Sequence, residues 1–326
     1  MRAAYYEANG SARDVLEVGE VETPEAGAGD VRVRLSTSGV NPSDVKSRVG
    51  LIGPMRYPRV IPHSDGAGAI DQVGAGVDPT RLGQRVWIWN AQWLRPFGSA
   101  AQYVVLPAVQ AVPLPDHIAD DAGACLGIPA LTAQHAVTLA GPVADKTILV
   151  SGGAGAVSHY AIQIAKAGGA TVITTISSPE KASLATAAGA DVVINYRTED
   201  VGAIVKRHTG GRGVDVVIEL DLAANAKLLP DVLAAKGRVV AYGTSDRSVS
   251  LPAFFCLLNS IRLDFFLIYT LSEKERAAAV AGLTDLLERN ALSHNIAARV
   301  PLAEVAVAHE MVESGKAMGN VVLLIG

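Results

Sequence analysis

The sequence contains only two cysteines, Cys125 and Cys256, which excludes a disulfide-stabilised scaffold and a four-thiolate zinc site and favours a reducing compartment. Aromatic residues make up 5% of the chain and charged residues 18%, against about 25% charged residues in typical soluble domains. With 28 basic and 32 acidic side chains the net charge is −4. The chain therefore has no basic field, and the charge does not predict binding to nucleic acid or to an anionic membrane.

Long uninterrupted apolar runs are also absent. The most apolar stretch, residues 253–271, contains Asn259, Arg262 and Asp264, and charges near the centre of a membrane span are costly. We predict that this stretch forms a buried helix and strand. The first residues lack the apolar core of a signal peptide, which favours a cytoplasmic location.

Small and aliphatic residues dominate what is present. The 326 residues are 49% apolar, include 32 glycines and have a mean hydropathy of +0.28. This composition excludes a disordered chain and suits buried parallel strands covered by closely packed helices. The length is that of about two domains.

The pattern of apolar residues changes along the chain. Residues 1–112 show short apolar runs separated by Gly, Pro and Asp, which predicts an irregular β-rich domain. From about residue 120 to 262 strands alternate with longer helical patterns, which predicts a parallel sheet with right-handed crossovers. The predicted strands are 147–151, 171–176, 192–195, 214–218 and 238–242.

Two helices and a strand are predicted after this region. Ser272 and Glu275 have the spacing of a capping box and mark the start of one helix. An amphipathic helix follows Pro301, and a strand is predicted at residues 320–325.

The most informative segment is residues 148–158. A predicted strand leads directly into small residues, with glycines at 152, 153 and 155, and an amphipathic helix follows. Glycine lets a backbone approach a pyrophosphate, and a helix N-terminus offers free N–H groups and the positive end of its dipole. This context predicts dinucleotide binding. Ser158 replaces the last glycine of the usual fingerprint, and its small side chain still permits close helix packing.

The end of the next strand bears on the choice of cofactor. An NAD-preferring site would carry an acid there to bind the ribose 2′-hydroxyl, but Ser177 and Ser178 follow the strand and Lys181 comes shortly after. Hydroxyls and a cation suit a 2′-phosphate, so we predict NADPH. Alternatively Ser178 caps a helix that Pro179 opens, and Lys181 is a solvated charge; the two interpretations are compatible.

Several short motifs follow one another along nearly the whole chain. They are Gly39-Val40-Asn41-Pro42-Ser43-Asp44, Asp65-Gly66-Ala67-Gly68-Ala69-Ile70 with Val73-Gly74, Gly83-Gln84-Arg85-Val86, Gly127-Ile128-Pro129-Ala130-Leu131-Thr132-Ala133, the turn at 152–157, Gly189-Ala190-Asp191 with Asn195-Tyr196, and Ala308-His309-Glu310 with Glu313-Ser314-Gly315-Lys316. In this order they resemble the medium-chain dehydrogenase/reductase superfamily, and within it the zinc-independent, zeta-crystallin-like quinone oxidoreductases. The resemblance implies an α/β fold in which a Rossmann doubly wound parallel sheet, residues 121–263, is inserted into a GroES-like β-barrel catalytic domain made of residues 1–120 and 264–326. It also implies a homodimer.

Zinc-dependent members of the superfamily hold catalytic zinc with a Cys and with the His of a Gly-His-Glu motif. Asn41 stands at the Cys position, and Ser64 and Asp65 align with His-Glu. An amide and a hydroxyl are poor zinc ligands, so we expect a site without metal. His63 lies one position out of register and is expected to be a pocket or packing histidine, with a role as ligand or proton donor as the alternative. No second His follows His309 at metalloprotease spacing, so His309-Glu310 is read as an ordinary helix pair.

The resemblance also implies roles for single residues. Asn41 is implied to lie beside the nicotinamide and the acceptor, and Thr132 to contact the carboxamide. The remaining cofactor-binding residues are implied to be Ala154, Gly155, Ala156 and Val157 at the pyrophosphate; Ser177, Lys181 and Tyr196 at the 2′-phosphate and adenosine; Ala241, Tyr242, Gly243 and Thr244 at a strand end over the cofactor; and Phe265 and Phe266 around the nicotinamide. For the aromatic residues, core packing is the alternative.

Lys46 stands where the family often has a Tyr that contacts both acceptor and cofactor. The lysine can attract a phosphate or an acidic acceptor, or remain solvated. This departure bears on whether a simple quinone is the substrate.

Without zinc to polarise a carbonyl, electron-poor acceptors are favoured, because their negative charge delocalises after hydride transfer. We therefore predict transfer of hydride from NADPH to a quinone or related conjugated carbonyl. One alternative is a 2-enal, enone or enoyl-thioester reductase. Another, of a different class, is an NADPH-binding structural or regulatory protein.

Overall fold

The computed structural model describes all 326 residues, and their contacts divide the chain into two units. One unit comprises Met1–Ile128 and His294–Gly326, and the other comprises Pro129–Ser293.

In chain order the strands are β1 (Arg2–Tyr5), β2 (Glu17–Glu20), β3 (Asp30–Val40), β4 (Asp65–Val73), β5 (Arg85–Ile88), β6 (Tyr103–Pro107), β7 (Ala111–Pro113), β8 (Thr147–Val150), β9 (Thr171–Ile176), β10 (Val192–Asn195), β11 (Val214–Glu219), β12 (Leu233–Ala241), β13 (Arg262–Phe265), β14 (Ile296–Pro301) and β15 (Asn320–Leu324). The α-helices are α1 (Ala12–Val15), α2 (Pro42–Arg48), α3 (Asp120–Gly123), α4 (Leu131–Ala140), α5 (Ala156–Ala167), α6 (Pro179–Ala187), α7 (Val201–His208), α8 (Leu222–Asn225), α9 (Leu229–Val232), α10 (Ala253–Leu258), α11 (Glu273–Glu288) and α12 (Val305–Glu313). Short 3-10 turns cover Pro79–Arg81, Ala108–Gln110, Ala226–Leu228, Ile268–Thr270 and Leu302–Glu304, and a π-helical turn covers Leu126–Ala130.

The second unit contains a six-stranded parallel sheet in the order β10-β9-β8-β11-β12-β13. Counted from β8, this is the 3-2-1-4-5-6 order of a doubly wound dinucleotide-binding fold, and the order reverses between β8 and β11. The predicted Rossmann sheet is confirmed, and β9 and β10 have the predicted bounds. β12 begins earlier than predicted because residues 233–237 join it through a bulge against β11.

Apolar strands and small helical residues build this sheet and its cover. Leu149, Val217 and Val239 are almost completely buried in the strands. On α5, Ala161 and Ala165 have no exposed surface, so the helix lies close to the sheet as the sequence pattern predicts.

The first unit contains a seven-stranded sheet in which β14, β15, β3, β4, β5 and β7 follow one another and β6 also pairs with β3. All of these pairs are antiparallel except β14 with β15, and β1 pairs with β2 in a separate two-stranded sheet. Valine and leucine side chains such as Val33, Val86 and Leu323 form its core. The predicted β-rich region is present here.

Residues 264–293, which the sequence analysis placed in the catalytic domain, belong by their contacts to the second unit. The reason is that β13 extends the parallel sheet and α11 packs on α4. At the start of α11, Ser272 Oγ accepts from the Glu275 N–H at 3.3 Å, and the Glu275 carboxylate accepts from the Ser272 N–H at 2.9 Å. The predicted capping box is confirmed.

The helix and strand predicted within residues 253–271 are present, but their predicted burial is wrong. Phe254 is 75% exposed, Leu257 78% and Phe265 65%. The cause is their position: α10 has no buried residue, and β13 is the edge strand of its sheet. None of the helices has the length and apolarity that crossing a membrane requires.

Candidate active site

The turn between β8 and α5 lies at the reversal point of the parallel sheet. Gly155 is the N-cap of α5, and the first intrahelical bond of this turn runs from the His159 N–H to the Gly155 carbonyl at 3.0 Å. The N–H groups of Ala156, Val157 and Ser158 therefore have no partner within the helix. Open donors at the positive end of a helix dipole fit a pyrophosphate.

Close packing requires the small residues of the turn. A Cβ on Gly153 would lie 2.4 Å from Thr174 Oγ1, and one on Gly152 would lie 2.3 Å from a methyl group of Leu220. Gly152 also has a φ of 69°, in the left-handed region that favours glycine. Ala154 is buried in the same turn. The turn is thus held against β9 and the end of β11, with its backbone available to a ligand.

A chain of buried hydroxyls and a carboxylate fixes this turn. Ser158 Oγ donates to the Ser151 carbonyl at 2.7 Å, and Ser151 Oγ donates to Glu219 Oε2 at 2.6 Å. Glu219 Oε1 accepts from the Asp221 N–H at 2.6 Å and from Asn225 Nδ2 at 2.9 Å. Burial raises the pKa of Glu219, and its hydrogen bonds oppose that shift.

Ser151 and Glu219 are not among the site residues predicted from the sequence. The available signal was an acid at the end of a predicted buried strand, where a charge needs partners. Ser158, at the last glycine position, packs against the strand as expected and is 1% exposed.

The segment that follows β12 reaches the same network. Tyr242 Oη lies 3.2 Å from Ser158 Oγ, and burial raises the pKa of Tyr242. A Cβ on Gly243 would lie 2.1 Å from the Leu220 carbonyl oxygen, so only glycine fits there. Ala241 is buried at the strand end, while Thr244 is exposed and donates to the Asp246 carbonyl at 2.8 Å. Three of these four predicted residues thus surround the end of β11.

The residues predicted at the 2′-phosphate follow two neighbouring strand ends. The Tyr196 N–H donates to the Ile176 carbonyl at 3.1 Å, which places Tyr196 beside the start of the segment containing Ser177. Tyr196 is 53% exposed, so its alternative role in core packing is excluded. No ion pair involves Lys181.

The helix-capping alternative for this segment is confirmed as well. Ser178 is the N-cap of α6, Pro179 follows it, and Ser178 Oγ accepts from the Lys181 N–H at 3.4 Å. A hydrogen bond with Ser178 lowers the pKa of Glu180, so this acid of the first turn is engaged locally.

The aromatic residues after β12 have different surroundings. The Phe266 ring lies edge-on to His135 at 4.8 Å between centroids and 6.4 Å from Tyr242, whereas Phe265 is exposed. Core packing therefore does not account for Phe265. Thr132, on the same helix as His135, is buried.

In the first unit, Asn41 is the N-cap of α2 and is 4% exposed. Asn41 Nδ2 donates to Asp65 Oδ2 at 2.8 Å, and the Asn41 N–H donates to Asp44 Oδ2 at 2.7 Å. Burial raises the pKa of Asp44 to about 7. Asn41, at the position of the zinc-binding Cys of relatives, thus bonds to Asp65, the residue aligned with the Glu of their Gly-His-Glu motif. Lys46, on the same helix, is exposed.

His63 and His309 form a buried pair. Their Nε2 atoms are 2.9 Å apart, and His63 Nδ1 lies 2.9 Å from Ser38 Oγ. His309 and Glu310 both lie on α12, as predicted for a helix pair, and His309 is in addition fully buried against His63. His63 is a packing histidine, as expected. No group of three or more His, Cys, Asp or Glu side chains has a geometry that could hold a metal ion, and both cysteines are free.

The chain matches two family models: an alcohol dehydrogenase GroES-like domain over residues 27–116 and a zinc-binding dehydrogenase over residues 156–285. It is 30% identical to a 2-haloacrylate reductase of a Burkholderia species over 94% of this chain and 93% of the relative. It is 31% identical to a quinone oxidoreductase of Pseudomonas aeruginosa over 95% and 96% of the two chains.

Solved structures of dehydrogenases and quinone oxidoreductases are similar to this chain over nearly its whole length. A structure described as an NAD-dependent alcohol dehydrogenase has a TM-score of 0.90 at 31% identity and covers 100% of both chains. The quinone oxidoreductase of Escherichia coli, complexed with NADPH, has a TM-score of 0.87 at 26% identity over 99% and 100% of the chains. The fold and the cofactor turn define a dinucleotide-binding oxidoreductase. The chain belongs to the medium-chain dehydrogenase/reductase family and resembles its quinone oxidoreductases.

Proposed function

We propose that this protein is an NADPH-dependent, metal-free reductase that transfers hydride to a quinone or a related conjugated carbonyl. The observation that carries this proposal is the turn at Gly152–Gly155 at the reversal point of the sheet, with the open N–H groups of α5 behind it. Relatives of similar length named quinone oxidoreductase support the substrate class.

The residues present fit NADPH. The pyrophosphate requires backbone donors and no obstructing Cβ, and the turn supplies both. The 2′-phosphate requires a cation, and Lys181 is free of carboxylate partners while Ser177 and Tyr196 flank the same strand ends.

The proposal of a metal-free site rests on the chemistry of Asn41 and Asp65. Zinc prefers thiolate, imidazole and carboxylate, whereas an amide nitrogen is not a ligand. Here the side-chain amide of Asn41 donates a hydrogen bond to Asp65 Oδ2. This bond engages a carboxylate oxygen that could otherwise have been a zinc ligand. Ser64 is the neighbouring residue and offers only a hydroxyl.

NADPH, when bound, supplies the hydride. The N–H groups of Ala156, Val157 and Ser158 bind its pyrophosphate, and we assign Thr132, Phe265, Phe266 and residues 241–244 to its remaining contacts. Asn41 and Lys46 are the proposed catalytic residues: an amide N–H and an ammonium group are donors that stabilise negative charge developing on the acceptor oxygen. Water or a side chain then delivers the proton.

A second candidate, reduction of a conjugated alkene such as an enal, enone or enoyl thioester, is favoured by two observations. One relative of nearly equal length is named 2-haloacrylate reductase. Lys46 also presents an exposed cation where the family often has a tyrosine, and a cation attracts a carboxylate-bearing acceptor.

The deciding experiment measures NADPH oxidation with quinones, conjugated enals and enones, unsaturated carboxylates and saturated aldehydes, each with and without a chelator. We expect turnover of conjugated acceptors only, unchanged by the chelator. Loss of activity on chelation would contradict the metal-free site. Tight NADPH binding without turnover of any conjugated acceptor would favour the structural or regulatory role.

We further propose a cytoplasmic homodimer, as the resemblance implies. The exposed apolar side chains of α10, Phe254 and Leu257 above all, provide the surface that such a dimer would cover. Leu257→Asp should shift the mass measured by light scattering from dimer to monomer. Leu82→Asp, at an exposed leucine of the first unit, should not.

A further inference from the structure

A cavity lies in the unit that contains the parallel sheet, at the amino ends of its strands. Its volume is about 570 Å³, and its lining includes Lys146, Lys236, Arg238 and Arg262. The only carboxylate of the lining is Asp215. The cavity lining is thus positively charged, whereas the whole chain has a net charge of −4.

The strand order explains how these cations come together. Lys146 directly precedes β8, Asp215 is on β11, and Arg238 and Arg262 are paired in register on β12 and β13. These four strands are consecutive in the sheet, so positions far apart in sequence share one edge.

Most of this charge is not neutralised within the chain. Lys146, Lys236 and Arg262 form no ion pair, while Arg238 Nε lies 3.2 Å from Asp264 Oδ2. Asp215 is already engaged, since its Oδ1 accepts from Arg212 at 2.6 Å and its Oδ2 accepts from the Thr147 N–H at 2.8 Å. The cavity therefore offers cationic donors without a matching acceptor.

The backbone at Lys236 is held in an uncommon conformation. Lys236 has a φ of 61° and lies on the bulge of β12, where its N–H donates to the Asn259 carbonyl at 2.6 Å. Bulges re-aim side chains, and left-handed non-glycine residues persist where the surrounding structure holds them. Here the bulge places Lys236 in the cavity lining.

This cavity is distinct from the cofactor turn. The turn follows the carboxyl end of β8, whereas Lys146 precedes its amino end, and a four-residue strand spans about 13 Å.

We propose that the cavity is a second anion site that binds a small, multiply charged phosphate compound. Guanidinium groups bind phosphate oxygens in bidentate geometry, and ammonium groups add point charges. Arg262, Lys146 and Lys236 carry both kinds of donor, and Ser260 lines the same cavity.

The test uses the full-length protein saturated with NADPH, so that the cofactor's own phosphate sites are filled. Isothermal titration with inorganic pyrophosphate at constant ionic strength should show one saturable site. The double variant Lys146→Gln/Arg262→Gln should weaken pyrophosphate binding at least tenfold and leave the affinity for NADPH unchanged.

The matched control removes two positive charges elsewhere in the same unit. Lys227→Gln/Lys274→Gln changes exposed lysines without ion pairs and should alter pyrophosphate binding less than twofold. Equal weakening in both double variants would show a general charge effect and overturn the site. Absence of saturable binding to the NADPH-loaded wild type, or equally tight binding of citrate, would overturn the phosphate assignment.

Discussion

The imidazole rings of His63 and His309 are fully buried and hydrogen-bonded to each other, with 2.9 Å between their Nε2 atoms. One ring donates across this contact and the other accepts. Burial, together with the smaller effect of repulsion by Arg48, lowers the pKa of His309 to about 3. Burial and His309 also lower the pKa of His63.

These shifts predict acid sensitivity. A folded-state pKa below the unfolded value of 6.5 stabilises the protein fully above pH 6.5, and that stability is lost as the pH falls towards 3. His309→Gln should therefore reduce the loss of unfolding free energy between pH 6.5 and 4.5 by about 1 kcal/mol per pH unit. Urea denaturation across this range measures it. His208→Gln, at an exposed histidine, should retain the wild-type slope.

The raised pKa of Asp44 predicts a contribution to stability that decreases as the pH rises, opposite to that of His309. Because burial raises its pKa from 3.8 to about 7, its stabilising contribution is fully present below pH 3.8 and is lost as the pH rises through 7. Asp44→Asn should thus gain stability relative to the wild type, by about 1 kcal/mol per pH unit, between pH 5 and 7. Denaturation at these two pH values and at pH 8 tests this. Parallel curves for the wild type and the variant would refute it, and Asp116→Asn is the exposed control.

Lys181 is predicted to discriminate between cofactors. Lys181→Ala should weaken NADPH binding at least tenfold, about 1.4 kcal/mol, and change NADH binding little, because only NADPH carries the 2′-phosphate. Fluorescence titration with both cofactors measures the ratio. Equal effects on both, or a wild-type preference for NADH, would contradict the assignment. Lys274→Ala should bind both cofactors as the wild type does.

Glu219 is predicted to position the pyrophosphate turn. Its two oxygens accept from different donors, Ser151 Oγ on one side and the Asp221 N–H and Asn225 on the other. Glutamine has a single oxygen, so Glu219→Gln leaves a buried donor facing an NH₂ group, at a cost of about 1–3 kcal/mol.

The expected result for Glu219→Gln is a lower melting temperature together with weaker binding of both NADPH and NADH, since the pyrophosphate is common to them. Lower stability with unchanged cofactor affinity would show that Glu219 does not position the turn. Glu288→Gln, at an exposed end of α11, is the matched control.

Local sequence signals predicted what depends on neighbours in the chain. The bounds of β9 and β10, the capping box at Ser272 and the strand, turn and helix around Gly152 all follow from residues close together in sequence. Burial of residues 253–271 could not be predicted in this way, because apolar composition does not reveal whether another element covers it.

In the candidate site, too, local features were predictable from the sequence and contacts between distant residues were not. The glycines of the turn and the cap at Ser178 were readable, because backbone conformation and local hydrogen bonds determine them. The partners of Glu219 and of His309 were not, since 68 residues separate Ser151 from Glu219 and 246 separate His63 from His309. Periodicity carries no information about which strand ends meet.

The sequence by itself determined the parallel sheet, the glycine-rich turn between β8 and α5, the presence of Asn41 and Ser64 at the positions aligned with zinc ligands of relatives, and the presence of Lys181, with no acid, after β9. Each of these depends on residue type and local spacing. The tertiary structure alone decided which buried polar groups are paired and which cations share a cavity at the amino edge of the sheet. The physical reason is that buried charges and hydrogen bonds are satisfied through contacts between distant segments, which only the strand order brings together.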